Sequence, residues 1–128
     1  MAPLTFCLID DEREICDLIR LFLESRGHRC VVAYNGGAGL EIVREHRPAA
    51  VFVDLQMPVM NGYEVIESIR KEPHIAQTPI LLMTALTRGE LQSTEEWARS
   101  SGADYFLNKP FEFNEIITAM HKITGVKI

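Results

Sequence analysis

The chain has 128 residues, 47% of them apolar and 24% charged, with a formal net charge of −5. That is the size of one domain, large enough to bury a core without staples, and the balance excludes a disordered or fibrous chain. The negative charge argues against direct nucleic-acid binding by this domain, which calls for a basic patch.

A strand-then-helix alternation recurs five times along the chain. Phe6 to Ile9 is a short apolar run ending in Asp10-Asp11. Behind it Ile15, Leu18, Ile19, Phe22 and Leu23 share one helical face, and Gly27 stops the helix. Cys30 to Tyr34 reads as the second strand, Asn35-Gly36 as its turn, and a helix from about Ala38 to His46 is halted by Pro48. Ala49 to Val53 is apolar throughout, as a strand covered on both faces should be, and runs into Asp54. Gly62, Val65, Ile66 and Ile69 give the third helix its stripe, ended by Pro73. Pro79 to Met83 is the fourth strand and Tyr105 to Leu107 a short fifth. Phe113, Ile116, Ile117 and Met120 mark the last helix, with Glu112 in its first turn and Lys122 near its end.

Five such units predict an α/β, doubly wound parallel sheet with helices on both faces. In such sheets ligands bind beyond the carboxyl ends of the strands. The polar residues of interest sit there: Asp10 and Asp11 after strand one, Asp54 after three, Thr84 after four, Lys109 just past five. With strand order 2-1-3-4-5, strands one and three are neighbours and three carboxylates share one crevice. At about 4 Å and an effective dielectric near 20, each like-charge pair costs roughly 4 kcal/mol. The cluster therefore raises a pKa or recruits a cation. A hard ion such as Mg²⁺ suits two or so carboxylates, a carbonyl, waters and a phosphate oxygen. Helix capping is the plain alternative for the Asp10-Asp11 pair. It explains one aspartate and leaves a facing third unexplained.

The segment from Asp54 to Gly62, Asp54-Leu55-Gln56-Met57-Pro58-Val59-Met60-Asn61-Gly62, resembles the signature D-x-x-M-P-x-M-[DN]-G of response regulator receiver domains. Every fixed position matches. Phe6 to Asp11 is similar to the family's opening strand and acidic pair, and Leu81-Leu82-Met83-Thr84-Ala85 and Asn108-Lys109-Pro110-Phe111 to its two later motifs. The resemblance spans residues 1–128 and implies one receiver domain with a chemotaxis-regulator-like, flavodoxin-like fold. It implies phosphorelay signal transduction by a phosphoacceptor switch rather than a turnover enzyme. Asp54 would be the phosphoacceptor. Asp11, Asp54 and the Gln56 backbone carbonyl would bind Mg²⁺, Asp10 helping through water. Lys109, the Thr84 hydroxyl and the Ala85 amide would hold the phosphoryl oxygens. A cis bond before Pro110 is usual in the family. The implied donor is a histidine kinase or histidine phosphotransfer protein, and the implied output an unidentified downstream protein.

The resemblance also implies how the state is read. Phe106, three residues before Lys109, would turn inward as Thr84 is drawn to phosphate, changing the surface of the fourth helix, fifth strand and fifth helix. Tyr105 beside it is either part of a partner surface or a strand aromatic. The stretch from Thr84 to Lys109 is longer than the family leads one to expect, with capping boxes at Thr87 and Ser93. A long loop or a broken fourth helix ending at Gly102, pinned by Leu91, Trp97 and Ala98, is expected there. Leu86 cannot hydrogen-bond water, so slow loss of the phosphoryl group is expected.

Location follows from what the chain lacks. The longest nearly apolar run, Pro79 to Leu86, is far too short to cross a bilayer, and the N-terminal residues carry no basic signal-peptide region. A cytoplasmic protein without membrane insertion is expected. The three cysteines, Cys7, Cys16 and Cys30, have no metal-binding spacing and read as buried thiols. Two rival classes are weaker. A haloacid-dehalogenase-like phosphatase needs a second acid where Gln56 stands. A flavodoxin-like carrier needs a phosphate loop where Asp10-Asp11-Glu12 would repel one.

Overall fold

The computed structural model describes residues 3–85 and 102–128. The expectations for Leu86, for the two capping boxes and for a fourth helix with Leu91, Trp97 and Ala98 fall outside the described residues. Within them the elements run β1 (Thr5–Ile9), α1 (Arg13–Ser25), β2 (Arg29–Ala33), α2 (Gly36–His46), β3 (Ala50–Asp54), α3 (Gly62–Lys71), β4 (Ile80–Thr84), β5 (Tyr105–Asn108) and α4 (Phe113–Thr124). All strand pairs are parallel, in the order β2-β1-β3-β4-β5. The expected order and fold class are those observed.

Alternation along the strands feeds two cores. Cys7, Ile9, Val51, Val53, Ile80 and Leu82 pack with Leu40 and Val43 of α2 and Val65, Ile66 and Ile69 of α3. On the other face Phe6, Leu8, Phe52, Leu81 and Met83 pack with Ile19 and Leu23 of α1 and Ile116 and Met120 of α4. Phe6 stands edge-on to Phe52 with ring centroids 6.1 Å apart. Each such large apolar side chain contributes roughly 1.5–3 kcal/mol on burial. The inner strands are apolar at successive positions because both their faces are covered.

The boundaries differ from the sequence reading by one or two residues, with local causes. The Asn35 side chain accepts the Ala38 amide at 2.8 Å, so α2 begins at Gly36 rather than Ala38. Asp54 remains in β3 because it still pairs with Met83 of β4. Gly27, with φ of +87°, ends α1 in the left-handed conformation as expected. Arg70 of α3 ties the approaches to two strands together. Its guanidinium donates to the carbonyls of Ala76 and Thr78 ahead of β4, at 2.8 and 2.6 Å. It also donates to the Gly102 carbonyl at 2.7 Å and to Asp104 Oδ2 at 2.9 Å, ahead of β5. Those are the strands whose far ends carry Thr84 and Lys109.

The expected buried thiols are found in part. Cys7 and Cys16 are buried and Cys30 half-buried; all three are free, and burial pushes each thiol up to about 12.

Candidate functional site

Sheet register assembles the site. Ile9 pairs with Val53, so Asp10 and Asp54, each one residue further on, stand level at the carboxyl rim. Asp54 pairs with Met83, which precedes Thr84, and Thr84 pairs with Asn108, which precedes Lys109. The Lys109 amide donates to the Thr84 carbonyl at 2.7 Å, and the Lys109–Pro110 bond is cis. The chain leaving Asp54 is held as firmly. The Leu55 amide donates to the Met83 carbonyl and the Gly62 amide to the Leu55 carbonyl, each at 2.8 Å. Asn61 caps α3 reciprocally with Glu64, each side chain accepting the other residue's amide at 3.0 Å.

One ammonium lies among three carboxylates. Lys109 Nζ is 2.7 Å from Asp10 Oδ2, 3.1 Å from Glu12 Oε1 and 3.2 Å from Asp54 Oδ1. Asp10 is 0%, Asp54 4% and Lys109 8% exposed, so bulk water screens the pairs weakly. Burial raises Asp54 to about 6, with the charge of Asp10 adding to it and Lys109 opposing. Burial likewise raises Asp10, against the Lys109 hydrogen bond. For Lys109 burial acts to lower the pKa, but the hydrogen bond to Asp10 and the charges of Asp10 and Asp54 win and hold it above its usual range. The lysine is charged at neutral pH and Asp54 is largely ionised.

The residues singled out in the sequence are distributed as follows. Asp10, Asp54, Thr84 and Lys109 are all buried at this rim. Asp11 is exposed and outside the lysine's carboxylate set, though its charge still raises Asp54. Gln56 and Ala85 are exposed at the ends of β3 and β4. Phe106 is half-buried against the core shared with α2 and α3. Tyr105 is half-buried, with Lys122 Nζ 5.6 Å from its ring centroid. Glu12 was missed as a site residue. The signal was a third acid directly after Asp10-Asp11. The Glu12 amide donates to Asp10 Oδ1 at 2.9 Å, a local bend that brings the third acid back to the rim.

Carboxylate oxygens of Asp10, Glu12 and Asp54 lie within 4.8 Å of one another. An acidic pocket of this kind fits a small divalent cation such as Mg²⁺. Such an ion competes with the proton on Asp54, whose ordinary value of 3.8 has moved to about 6. Cation affinity should therefore fall by up to about tenfold per pH unit below pH 6, and level off above about pH 7. Titration calorimetry with Mg²⁺ at several pH values checks this; affinity unchanged down to pH 5 contradicts it. In the metal-free protein the raised folded value means the unfolded chain ionises first. The contribution of Asp54 to its stability should thus decline as pH rises from about 4 to 6.

A family model for the response regulator receiver domain matches residues 6–121. The chain belongs to the response regulator receiver family. Among curated relatives, this receiver is 31% identical over 116 residues to the DNA-binding dual master transcriptional regulator RpaA of Synechocystis, covering 91% of the chain but 47% of that protein. It is 25% identical to the polar-differentiation response regulator DivK of Brucella anthropi, covering 96% of the chain and 98% of the relative. Among solved structures it superposes, with a TM-score of 0.85 and 26% identity over 98% of the chain and 100% of the other, on the receiver domain of a Pseudomonas aeruginosa sensor histidine kinase with a magnesium ion coordinated in its active site cleft. The chain is thus a receiver domain of two-component signal transduction, a phosphoacceptor switch with an acidic pocket suited to a divalent cation. Among the described residues no helix is long and apolar enough to cross a membrane.

Proposed function

We propose that this receiver accepts a phosphoryl group on Asp54 from a histidine kinase or histidine phosphotransfer protein, with Mg²⁺ as its cation, and passes the signal to a downstream protein in the cytoplasm. The observation that carries the reading is the buried Lys109 ammonium within 3.2 Å of both Asp10 and Asp54 at the carboxyl rim of the sheet. A side-chain oxygen of Asp54 attacks phosphorus as the bond to the donor nitrogen breaks, and the nitrogen keeps the electron pair. Asp11, Asp54 and the Gln56 carbonyl would hold the ion, with Asp10 helping through water. When bound, the ion offsets negative charge on the phosphoryl oxygens. Lys109 turns to those oxygens, and the Thr84 hydroxyl and Ala85 amide close the cage.

Withdrawal of the Thr84 hydroxyl gives Phe106 room to turn inward. The altered face includes β5 and α4, where Tyr105, Phe106, Asn114, Glu115 and Thr118 line a cavity of about 230 Å³. Phenylalanine carries no hydroxyl, so this state is read by shape and apolar area. The role is that of a switch loaded once per signal, without direct binding to nucleic acid by this domain.

Intact mass after incubation with acetyl phosphate and Mg²⁺ tests the reading. Wild type should gain about 80 Da, one phosphoryl group, and Asp54→Asn should not. Equal gain in both, or none in wild type, overturns it.

A further inference from the structure

We infer that Glu12 is a positioning residue that holds Lys109 back from the incoming phosphoryl group and so slows loading of Asp54. The inference rests on the reading of Asp54 as phosphoacceptor. Lys109 must leave its carboxylates to meet phosphoryl oxygens, and what retains it sets part of the barrier. Asp10 and Asp54 are buried on either side of it, while Glu12 reaches the same ammonium at 3.1 Å from the mouth of the site. Its side chain is 57% exposed, and its amide is fixed on Asp10 Oδ1 at 2.9 Å, so its backbone is anchored while its carboxylate faces arriving donors. Two effects of Glu12 act in the same direction. It competes with the phosphoryl oxygens for the lysine, and it places a negative charge where an anionic donor enters.

The test is the rate at which acetyl phosphate loads Asp54 at saturating Mg²⁺, followed by intact mass. The attacking Asp54 oxygen forms the new bond to phosphorus, and acetate departs with the electron pair of the broken one. Glu12→Gln should load about fivefold faster, the effect of one charge a few ångströms away at a wet rim. Glu12→Asp keeps the charge but is one methylene too short to reach the lysine, and it too should load faster than wild type. A Glu12→Asp rate equal to wild type, with only Glu12→Gln fast, replaces the lysine contact by a general charge effect and overturns the inference. So does a Glu12→Gln rate at or below wild type. Mg²⁺ affinity measured calorimetrically on the unphosphorylated proteins supplies a second readout. It should change by less than about threefold, whereas a loss of about tenfold or more, the size seen when a residue in or supporting a metal site is removed, assigns Glu12 to the cation instead and overturns the positioning role. Failure of the wild type itself to load refutes the phosphoacceptor reading instead, so the two failures are distinguishable.

Discussion

Lys109→Ala should lower stability by about 3–5 kcal/mol at neutral pH, the usual consequence of removing one partner from a buried ion pair. Two aspartates, 0% and 4% exposed, would then face each other with no cation between them. The loss should depend on pH in a defined sense. Without the ammonium the folded-state pKa of Asp54 rises beyond about 6, so the penalty is largest above that and fades towards pH 4, where Asp54 is protonated in the folded wild type and variant alike. Mg²⁺ should restore much of it. A site that binds only the folded chain returns about 2.7 kcal/mol at a hundred times its dissociation constant. Denaturant melts at pH 5 and 7.5, with and without Mg²⁺, separate these terms. A variant as stable as wild type at pH 7.5 would show that the lysine does not balance the buried charge.

The second large effect is expected at Gly62. A methyl group there would sit 2.6 Å from the Asp54 carbonyl oxygen and 2.8 Å from Leu55 Cα. Both are backbone atoms of the segment carrying Asp54, the proposed phosphoacceptor, and the same segment accepts the Gly62 amide at 2.8 Å. No side chain can swing aside, so Gly62→Ala has to push α3 away from the end of β3. The expected penalty is about 2–3 kcal/mol, at the upper part of the range for overpacking. Loading of Asp54 should fall with it, because Leu55 and Asp54 move together. Gly37→Ala is the control: its added carbon meets only Asn35 Oδ1, at an ordinary 3.6 Å. That change should stay within about 0.5 kcal/mol of wild type. Similar effects at the two positions would contradict the close-approach account.

The architecture was legible because each inner strand is apolar on both faces and each chemical residue stands one step past such a run. Strand ends shifted by a residue or two because pairing with a neighbour, as between Asp54 and Met83, is a property of two strands that no single run displays. The candidate site was legible in the placement of its buried members, Asp10, Asp54, Thr84 and Lys109. It was less so at the exposed rim. Asp10-Asp11 drew attention as a pair, yet the described geometry joins Asp10 to Glu12 through the lysine and leaves Asp11 outside that set. Which of three consecutive acids turns inward depends on the bend before α1, where the Glu12 amide meets Asp10 Oδ1. That bend is a backbone choice, and residue types alone do not specify it. Val59 is a further case: it is fully exposed with φ of +69°, an unusual conformation for a β-branched residue. Its position in the signature is variable, so nothing in the pattern announced it.

Borohydride trapping of the loaded protein addresses the central claim most directly. Reduction of an acyl phosphate converts the aspartate that carried it into homoserine, which peptide mass spectrometry locates in the chain. After treatment with acetyl phosphate and Mg²⁺, homoserine should appear at position 54 and nowhere else. Homoserine at position 10 or 11, or an intact aspartate at 54 in protein that has gained the phosphoryl mass, would contradict the assignment of Asp54 as acceptor.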